Sequence, residues 1–130
     1  MSDLAQAYLD KARHSLDEAR AVLSIGLFEA AGRAAYLAAY HAAQGLILAR
    51  TNKIAKTHSG VRSEFARVAK NDPRLERKLS SFLAQAYNLK IVADYAVGGD
   101  IGVSASEAAE AIDGATRFIG TVERVLFERR

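Results

Sequence analysis

The stretch "AAGRAAYLAAYHAAQGLILAR", residues 30–50, decides the fold of this chain. It is apolar nearly all round, which is typical of a helix that neighbours cover on several sides. Gly32 and Gly45 each make the helix about 1 kcal/mol less stable than alanine would. Close packing of neighbouring helices against the small residues is expected to offset this loss. An arginine, a histidine and a glutamine within the stretch make it a poor membrane span. It therefore predicts the central, buried helix of a soluble helical protein.

Four further helices are predicted around this central one. Apolar residues recur at spacings of three and four along each segment, and capping or turn residues separate the segments. Pro73 suits the first position of the fourth helix, and Ser104 with Glu107 fits a capping box before the fifth. The predicted helices span residues 3–25, 28–50, 60–70, 73–95 and 104 to the C-terminus, with a glycine-rich break at 97–102. We therefore expect one domain over residues 1–130, an all-α, up-and-down bundle of four to five helices.

Composition limits the classes of function. The 130 residues include no cysteine, which excludes disulfide and thiolate chemistry and suits a reducing cytoplasm. No N-terminal signal pattern is present, so we expect a cytoplasmic protein without membrane association. Between Arg50 and Lys78 there are nine lysines and arginines but only three acids, although the whole chain carries a net charge of +3. Such a basic zone attracts an anion, a phosphate or an acidic partner; the alternative is an ordinary solvated face.

Metal and cofactor sites are not predicted. The glycines at positions 98, 99 and 102 fit neither the dinucleotide-binding nor the P-loop pattern. The histidines, His14, His41 and His58, belong to different segments and lack the paired spacing of zinc sites. The Glu-x-x-His motifs of a di-iron bundle are missing from the sequence as well. We therefore expect a function that needs neither a metal nor a cofactor.

Polar side chains on the central helix form the first candidate site. Tyr36 and Tyr40 are one turn apart, and Arg33 and Gln44 lie one turn before and one turn after them, so the four share a broad face. His41 lies about 100° round the helix from Tyr40. Either these groups bind a ligand, or they only bond to neighbouring helices and fix the packing.

Two further polar groups lie outside the central helix. Lys56 and His58 lie at a predicted helix start, where free backbone N–H groups and the helix dipole favour an anion; a plain capping turn is the alternative. In the fourth helix, Lys90 and Asp94 follow Tyr87 and are four residues apart, which allows an ion pair. A buried Asp94 would need a cation or several donors, and that would mark a functional site.

Three blocks of the sequence resemble small stand-alone HEPN domains. "GRAAYLAAYHAAQ" (residues 32–44) is similar to their central-helix signature, "KTHSGV" (56–61) to the loop that follows it, and "AYNLKIVADY" (86–95) to their third block. The blocks occur in the expected order and spacing. The resemblance implies a helical bundle that usually forms a homodimer and has a role around nucleotides or RNA. Many such proteins pair with a minimal nucleotidyltransferase as toxin and antitoxin, and others are metal-independent ribonucleases.

The ribonuclease motif of that family is not fully matched. The motif places an arginine and a histidine four to six residues apart, whereas seven residues lie between Arg33 and His41, and also between Arg50 and His58. Lys90 stands where the family more often has arginine, and lysine does not bind a phosphate with the same bidentate geometry. The resemblance thus implies the fold and a binding role more directly than ribonuclease chemistry.

The sequence supports three functional hypotheses. The first is a binding module for a nucleotide or RNA that acts with a nucleotidyltransferase-domain partner in a toxin–antitoxin-like system. The second is a ribonuclease toxin with a histidine as general acid/base, and the third is a non-catalytic structural or interaction subunit. The candidate catalytic residues are His41 and Arg33. The candidate ligand-binding residues are Tyr36, Tyr40, Lys56, His58, Tyr87, Lys90 and Asp94.

Overall fold

Five α-helices build the protein. The computed structural model describes residues 2–95, 97 and 102–128, so residues 98–101 of the predicted glycine-rich break lie outside the described residues. The helices are α1 (Asp3–Ser24), α2 (Phe28–Thr51), α3 (His58–Ala69), α4 (Arg77–Tyr95) and α5 (Ala105–Phe127). The described residues include no strand, and the predicted all-α helical bundle is confirmed. Across the same residues, no helix is both long and apolar enough to cross a membrane.

The second helix, α2, lies at the centre of the bundle and packs against each of the other four helices. One continuous core joins its fully buried Tyr36 to Phe65 of α3 and Phe118 of α5. A Cβ atom at Gly45 would lie only 3.2 Å from the carbonyl oxygen of Ala5 in α1. Glycine therefore allows α1 and α2 to approach closely, and the packing gained offsets the lost helix propensity.

Side-chain caps begin three of the helices. The hydroxyls of Ser2, Thr57 and Ser104 each accept a hydrogen bond from the backbone N–H three residues ahead, at the starts of α1, α3 and α5. The capping box predicted at Ser104 and Glu107 is present, with both reciprocal bonds at 3.0 Å. Because Thr57 is the cap, α3 begins at His58, two residues earlier than predicted. This cap places the imidazole in the first turn of α3.

The start of α4 corrects the prediction. The helix begins at Arg77, and Pro73 lies in a turn rather than at its first position. The buried carboxylate of Asp72 accepts hydrogen bonds from the backbone N–H of Arg74 at 2.9 Å and from its guanidinium at 2.7 and 3.1 Å. The turn buries Leu75, so the apolar pattern is satisfied without a helix. Side-chain bonding to the local backbone competes here with helix formation.

Candidate functional site

Aromatic and basic side chains converge where α2, α3 and α4 meet. Tyr36 and Tyr40 lie one turn apart on α2, His58 and Arg62 one turn apart on α3, and Tyr87 on α4; we call these five residues the His58 cluster. The His58 ring centroid lies 5.5 Å from Tyr36, 5.0 Å from Tyr40 and 5.1 Å from Tyr87. The packed rings leave His58 half-buried at the edge of the core.

A hydrogen bond of 2.7 Å joins the Tyr36 hydroxyl to Nδ1 of His58. Burial raises the pKa of Tyr36, so its phenol stays protonated. Burial lowers the pKa of His58, and the positive charges of Lys90 and Arg62 lower it further, so the neutral imidazole is favoured at pH 7. When the phenol donates to Nδ1, the neutral ring carries its proton on Nε2, and no side chain of the described residues bonds to that atom.

Polar side chains of α2 also hold the loop that leads to His58. The Tyr40 hydroxyl donates a hydrogen bond of 2.8 Å to the carbonyl oxygen of Lys56, and the Gln44 amide donates one of 2.9 Å to that of Ala55. His41 Nδ1 lies 2.9 Å from the Gln44 Oε1 atom. These bonds satisfy loop carbonyls and fix residues 55–58 against the central helix. Tyr40 and Gln44 therefore position the loop of the candidate site, and His41 bonds to Gln44.

Arg62 is a member of the cluster that sequence reasoning missed. Its guanidinium carbon lies 4.4 Å from the centre of the Tyr87 ring, a cation–π contact. Its Nη1 atom is buried and has no hydrogen-bond partner among the described residues. A buried guanidinium nitrogen without a partner is costly, and an acceptor supplied by a ligand would relieve that cost. The available signal was the spacing, since Arg62 lies one turn after His58 on a predicted helix.

A charged triad borders the cluster on the α4 side. Asp94 Oδ1 lies 2.7 Å from Arg33 Nε, and Asp94 Oδ2 lies 2.5 Å from Lys90 Nζ. The bonds from Lys90 and then Arg33 lower the pKa of Asp94, so its carboxylate is ionised at pH 7. One carboxylate thus holds two cations, and Arg62 adds a third positive charge next to His58. The combined field favours an anion.

The structure brings together most of the residues that the sequence singled out. Arg33 bonds to Asp94 and to the carbonyl oxygen of Ala93 rather than to a member of the cluster, and Lys56 contributes its backbone carbonyl while its side chain is exposed. His41 packs edge-on against Tyr40 and bonds to Gln44. No hydrogen bond or ion pair in the described part of the chain joins Arg33 to His41. The candidates that lie in or beside the cluster are Tyr36, Tyr40, His58, Tyr87, Lys90 and Asp94.

Metal ligands do not converge at this place. Across residues 2–95, 97 and 102–128, no group of three or more histidine or acidic side chains is arranged to hold a metal ion. The acceptor atoms of the site belong to tyrosine, to a neutral imidazole and to a carboxylate already paired with two cations. The cations beside them, Arg62 and Lys90, together with the partly exposed rings of His58 and Tyr87, are suited to an anionic, aromatic ligand.

Known proteins resemble this chain along nearly its whole length. The sequence profile of the HEPN domain matches residues 5–125. A protein of Methanocaldococcus jannaschii named "Putative toxin MJ0605" is 28% identical over 123 residues, which is 95% of this chain and 89% of that protein. The crystal structure of TT1696 from Thermus thermophilus superposes with a TM-score of 0.74 at 27% identity, covering 95% of this chain and 98% of that one. The chain belongs to the HEPN family.

Proposed function

We propose that the protein binds a phosphate-bearing ligand, a nucleotide or RNA, at the His58 cluster, and that it acts with a nucleotidyltransferase-domain partner in a toxin–antitoxin-like system. One observation carries the binding proposal: the buried Arg62 Nη1 atom lacks a hydrogen-bond partner beside a stack of aromatic rings. A phosphate or base oxygen is the kind of acceptor that a guanidinium takes, with charge-assisted and often bidentate geometry.

The surroundings of Arg62 fit such a ligand. The partly exposed rings of His58 and Tyr87 are surfaces on which a base can stack, a contact worth roughly 1–3 kcal/mol per base. Lys90 adds a cation whose charge already acts on His58. The basic zone predicted between residues 50 and 78 includes Arg62 and extends the attraction over a longer chain of phosphates.

The biological setting rests on the relatives. The relative from Methanocaldococcus jannaschii carries the name of a toxin, and the family resemblance includes proteins paired with a minimal nucleotidyltransferase. We expect this chain to form a homodimer and to co-purify with a nucleotidyltransferase encoded beside it. Failure of the two co-expressed proteins to form a complex in size-exclusion chromatography would contradict the partner, but not the ligand.

Binding is tested with two probes, ATP and a fluorescein-labelled single-stranded RNA of about twelve nucleotides. Fluorescence anisotropy and thermal shift compare the wild type with Arg62→Gln and with the control Arg67→Gln. Both variants lose one positive charge from α3, but Arg67 is exposed and paired with Glu64 at 2.5 Å. We expect Arg62→Gln to weaken binding about tenfold and Arg67→Gln about twofold or less.

Two outcomes would overturn the binding proposal. If neither ATP nor the RNA binds at low or moderate salt, the cluster has only a packing role, as in a structural subunit. Equal losses for Arg62→Gln and Arg67→Gln would show only general attraction between charges. An unchanged midpoint of thermal unfolding for both variants confirms that the comparison concerns binding rather than folding.

A ribonuclease toxin is the second candidate, and the placement of His58 favours it. The imidazole is oriented by Tyr36, and Arg62 and Lys90 lie close enough to act on its charge, which suits a general acid/base beside a phosphate. His41 instead bonds to Gln44, and the cation that acts on its charge is Lys11 rather than Arg62 and Lys90. Expression in a sensitive host tests this function. The wild type should arrest growth and His58→Ala should not, whereas His41→Ala should still arrest growth if His58 is the acid/base. Normal growth with the wild type would exclude this function, and equal arrest by wild type and His58→Ala would exclude His58 as its acid/base.

A further inference from the structure

A groove runs between α4 and α5, apart from the His58 cluster. It consists of two adjoining cavities of about 510 and 660 Å³ that share Phe82, Gln85 and Arg117. The two helices make few contacts with each other, although each packs against α2. We call this continuous depression the α4–α5 groove. It leaves part of the two helices without a partner.

The groove has both polar and apolar lining. Its apolar residues are Leu79, Ala86 and Leu89 of α4 and Ala111 of α5; Leu89 is partly exposed, whereas the other three are buried in the core. Phe82 lies at the junction of the two cavities and is only partly buried. Side chains of this type, aligned along a helix at spacings of three and four, provide the anchors into which an amphipathic helix packs.

The Phe82 ring packs directly against the backbone of α5 because residue 114 is glycine. A Cβ atom at Gly114 would lie 2.1 Å from Cε1 of the Phe82 ring, far inside van der Waals contact. The ring also stacks near Phe118, with centroids 6.3 Å apart. Glycine at this position therefore keeps the groove open, since the ring would otherwise be displaced outward into it.

The two ends of the groove carry opposite charge. Glu107, Glu110 and Asp113 line one end, and in the described part of the chain the last two have no ion-pair partner. The other end is lined by five cations and one acid, Glu76. These cations are Arg13, Arg74, Lys78, Arg117 and Arg124. Arg13, Arg74 and Lys78 are paired with Glu123, Asp72 and Glu76, so the excess positive charge comes from Arg124 and from Arg117, which lies where the two cavities join. An occupant complementary to the groove carries positive charge at the first end and negative charge at the second.

We propose that the α4–α5 groove binds an amphipathic helix of a partner protein, with acidic side chains in its first half, an apolar stripe along it and basic side chains in its second half. The groove follows α5 from Glu107 to Arg124, which at 1.5 Å per residue is about 26 Å and matches a helix of roughly 17 residues. Acidic residues near the start and basic residues near the end also stabilise the partner helix through its dipole. Charge complementarity then places it antiparallel to α5.

The shape of the groove argues for a foreign helix over a second copy of this chain. A two-fold axis through the groove would set two concave surfaces against each other, and neither would fill the other. A single helix is convex and supplies the missing ridge. The proposal is independent of the function proposed for the His58 cluster.

The test uses a designed, labelled peptide of about 17 residues with leucines at helical spacing, glutamates in its first half and lysines in its second. Two control peptides keep its composition: one alternates the charges along the same leucine stripe, and the other keeps the charge order but scatters the leucines. Fluorescence anisotropy against the full-length protein should show the matched peptide binding at least about tenfold more tightly than either control. Equal binding of the matched peptide and either control, or no binding, would overturn the proposal.

Variants of the protein locate the bound peptide. Glu110→Lys with Asp113→Lys reverses the acidic end at two exposed positions and should weaken binding about tenfold. The control, Asp17→Lys with Glu18→Lys, makes the same change on exposed residues of α1 and should have no effect. Equal losses would show that the peptide binds elsewhere. Analytical ultracentrifugation tests whether a second copy of the chain fills the groove instead. If the Glu110→Lys, Asp113→Lys protein has half the mass of the wild type in solution, a second copy occupies the groove and the proposal is overturned.

Discussion

At the scale of single residues, the hydroxyl of Tyr36 shows how a buried polar atom connects the core to the candidate site. Its ring is fully buried on α2, and among the residues that the structure describes its hydroxyl bonds to the His58 imidazole, 2.7 Å away. The bond satisfies the phenol and sets which imidazole nitrogen is free. One residue thus contributes to packing and to the chemistry available at the site.

Removing this hydroxyl tests that role. Tyr36→Phe should destabilise the protein by about 1 kcal/mol, because His58 Nδ1 loses its partner in a partly buried place. A bond donated to the neutral imidazole favours the neutral form, so the variant should also raise the pKa of His58. Urea unfolding gives the first quantity, and NMR titration of the imidazole resonances gives the second. An unchanged or lower pKa of His58 in Tyr36→Phe would show that the phenol is not the donor.

The two inner histidines predict how stability depends on pH. Burial lowers the pKa of His41 and of His58 in the folded protein, while unfolding restores the ordinary value near 6.5. As the pH falls below about 6.5, the unfolded chain therefore binds protons before the folded one, and the free energy of unfolding decreases until the folded pKa is passed. Urea unfolding at about pH 7.5 and pH 5.5 should show this loss, with a smaller loss in His41→Gln. An equal loss of unfolding free energy in the wild type and in His41→Gln would show that His41 does not contribute to it.

At the scale of the helices, most element boundaries follow from local sequence, and the exceptions have local causes. The apolar period and the caps give the extent of α1 and α2 and the start of α5 to within a residue, whereas α5 ends at Phe127, short of the predicted C-terminal residue. The late start of α4 depends on Asp72, whose carboxylate bonds to Arg74 and forms a turn. The sequence indicates that Asp72 favours a turn. It does not show whether Pro73 continues this turn or begins the next helix.

The glycines of α5 predict opposite effects for the same substitution. Alanine for glycine in a helix gains up to about 1 kcal/mol of propensity. At Gly120 a Cβ atom would meet only Arg124 Nη1 at an ordinary 3.5 Å, so Gly120→Ala should stabilise the protein. At Gly114 the Cβ atom would overlap the Phe82 ring, so Gly114→Ala should lose about 1 kcal/mol net, because overpacking outweighs propensity. Thermal and urea unfolding compare the two variants.

A third variant identifies the cause of the loss at position 114. In a Phe82→Ala background the overlapping ring is gone, so Gly114→Ala should become stabilising, as at Gly120. If Gly114→Ala stays destabilising without the ring, the backbone at position 114, and not its contact with Phe82, needs glycine. If it is stabilising in the wild-type background as well, the ring moves freely into the α4–α5 groove.

At the scale of the whole molecule, the sequence predicts which segments form the site better than it predicts their contacts. Three blocks that lie far apart in the chain converge in the bundle, as their resemblance to the HEPN family implies. The sequence does not distinguish Arg62 from the other cations of the basic zone, because its contact with the Tyr87 ring is formed only in the fold. The pairing of Arg33 with Asp94, across 61 positions, is likewise a tertiary contact that no local pattern contains.

The two proposed surfaces should act independently, because they use different faces of α4. Tyr87, Lys90 and Asp94 belong to the first, and Phe82 and Leu89 to the second; at 100° per residue the centres of the two sets lie more than about 100° apart round the helix. RNA should therefore bind equally well with or without the designed peptide in the groove. Arg62→Gln should weaken RNA but not peptide, and the reversal at Glu110 and Asp113 should do the opposite, with additive effects in the combined protein. A coupling above about 1 kcal/mol in either titration would mean that α4 transmits binding between the surfaces.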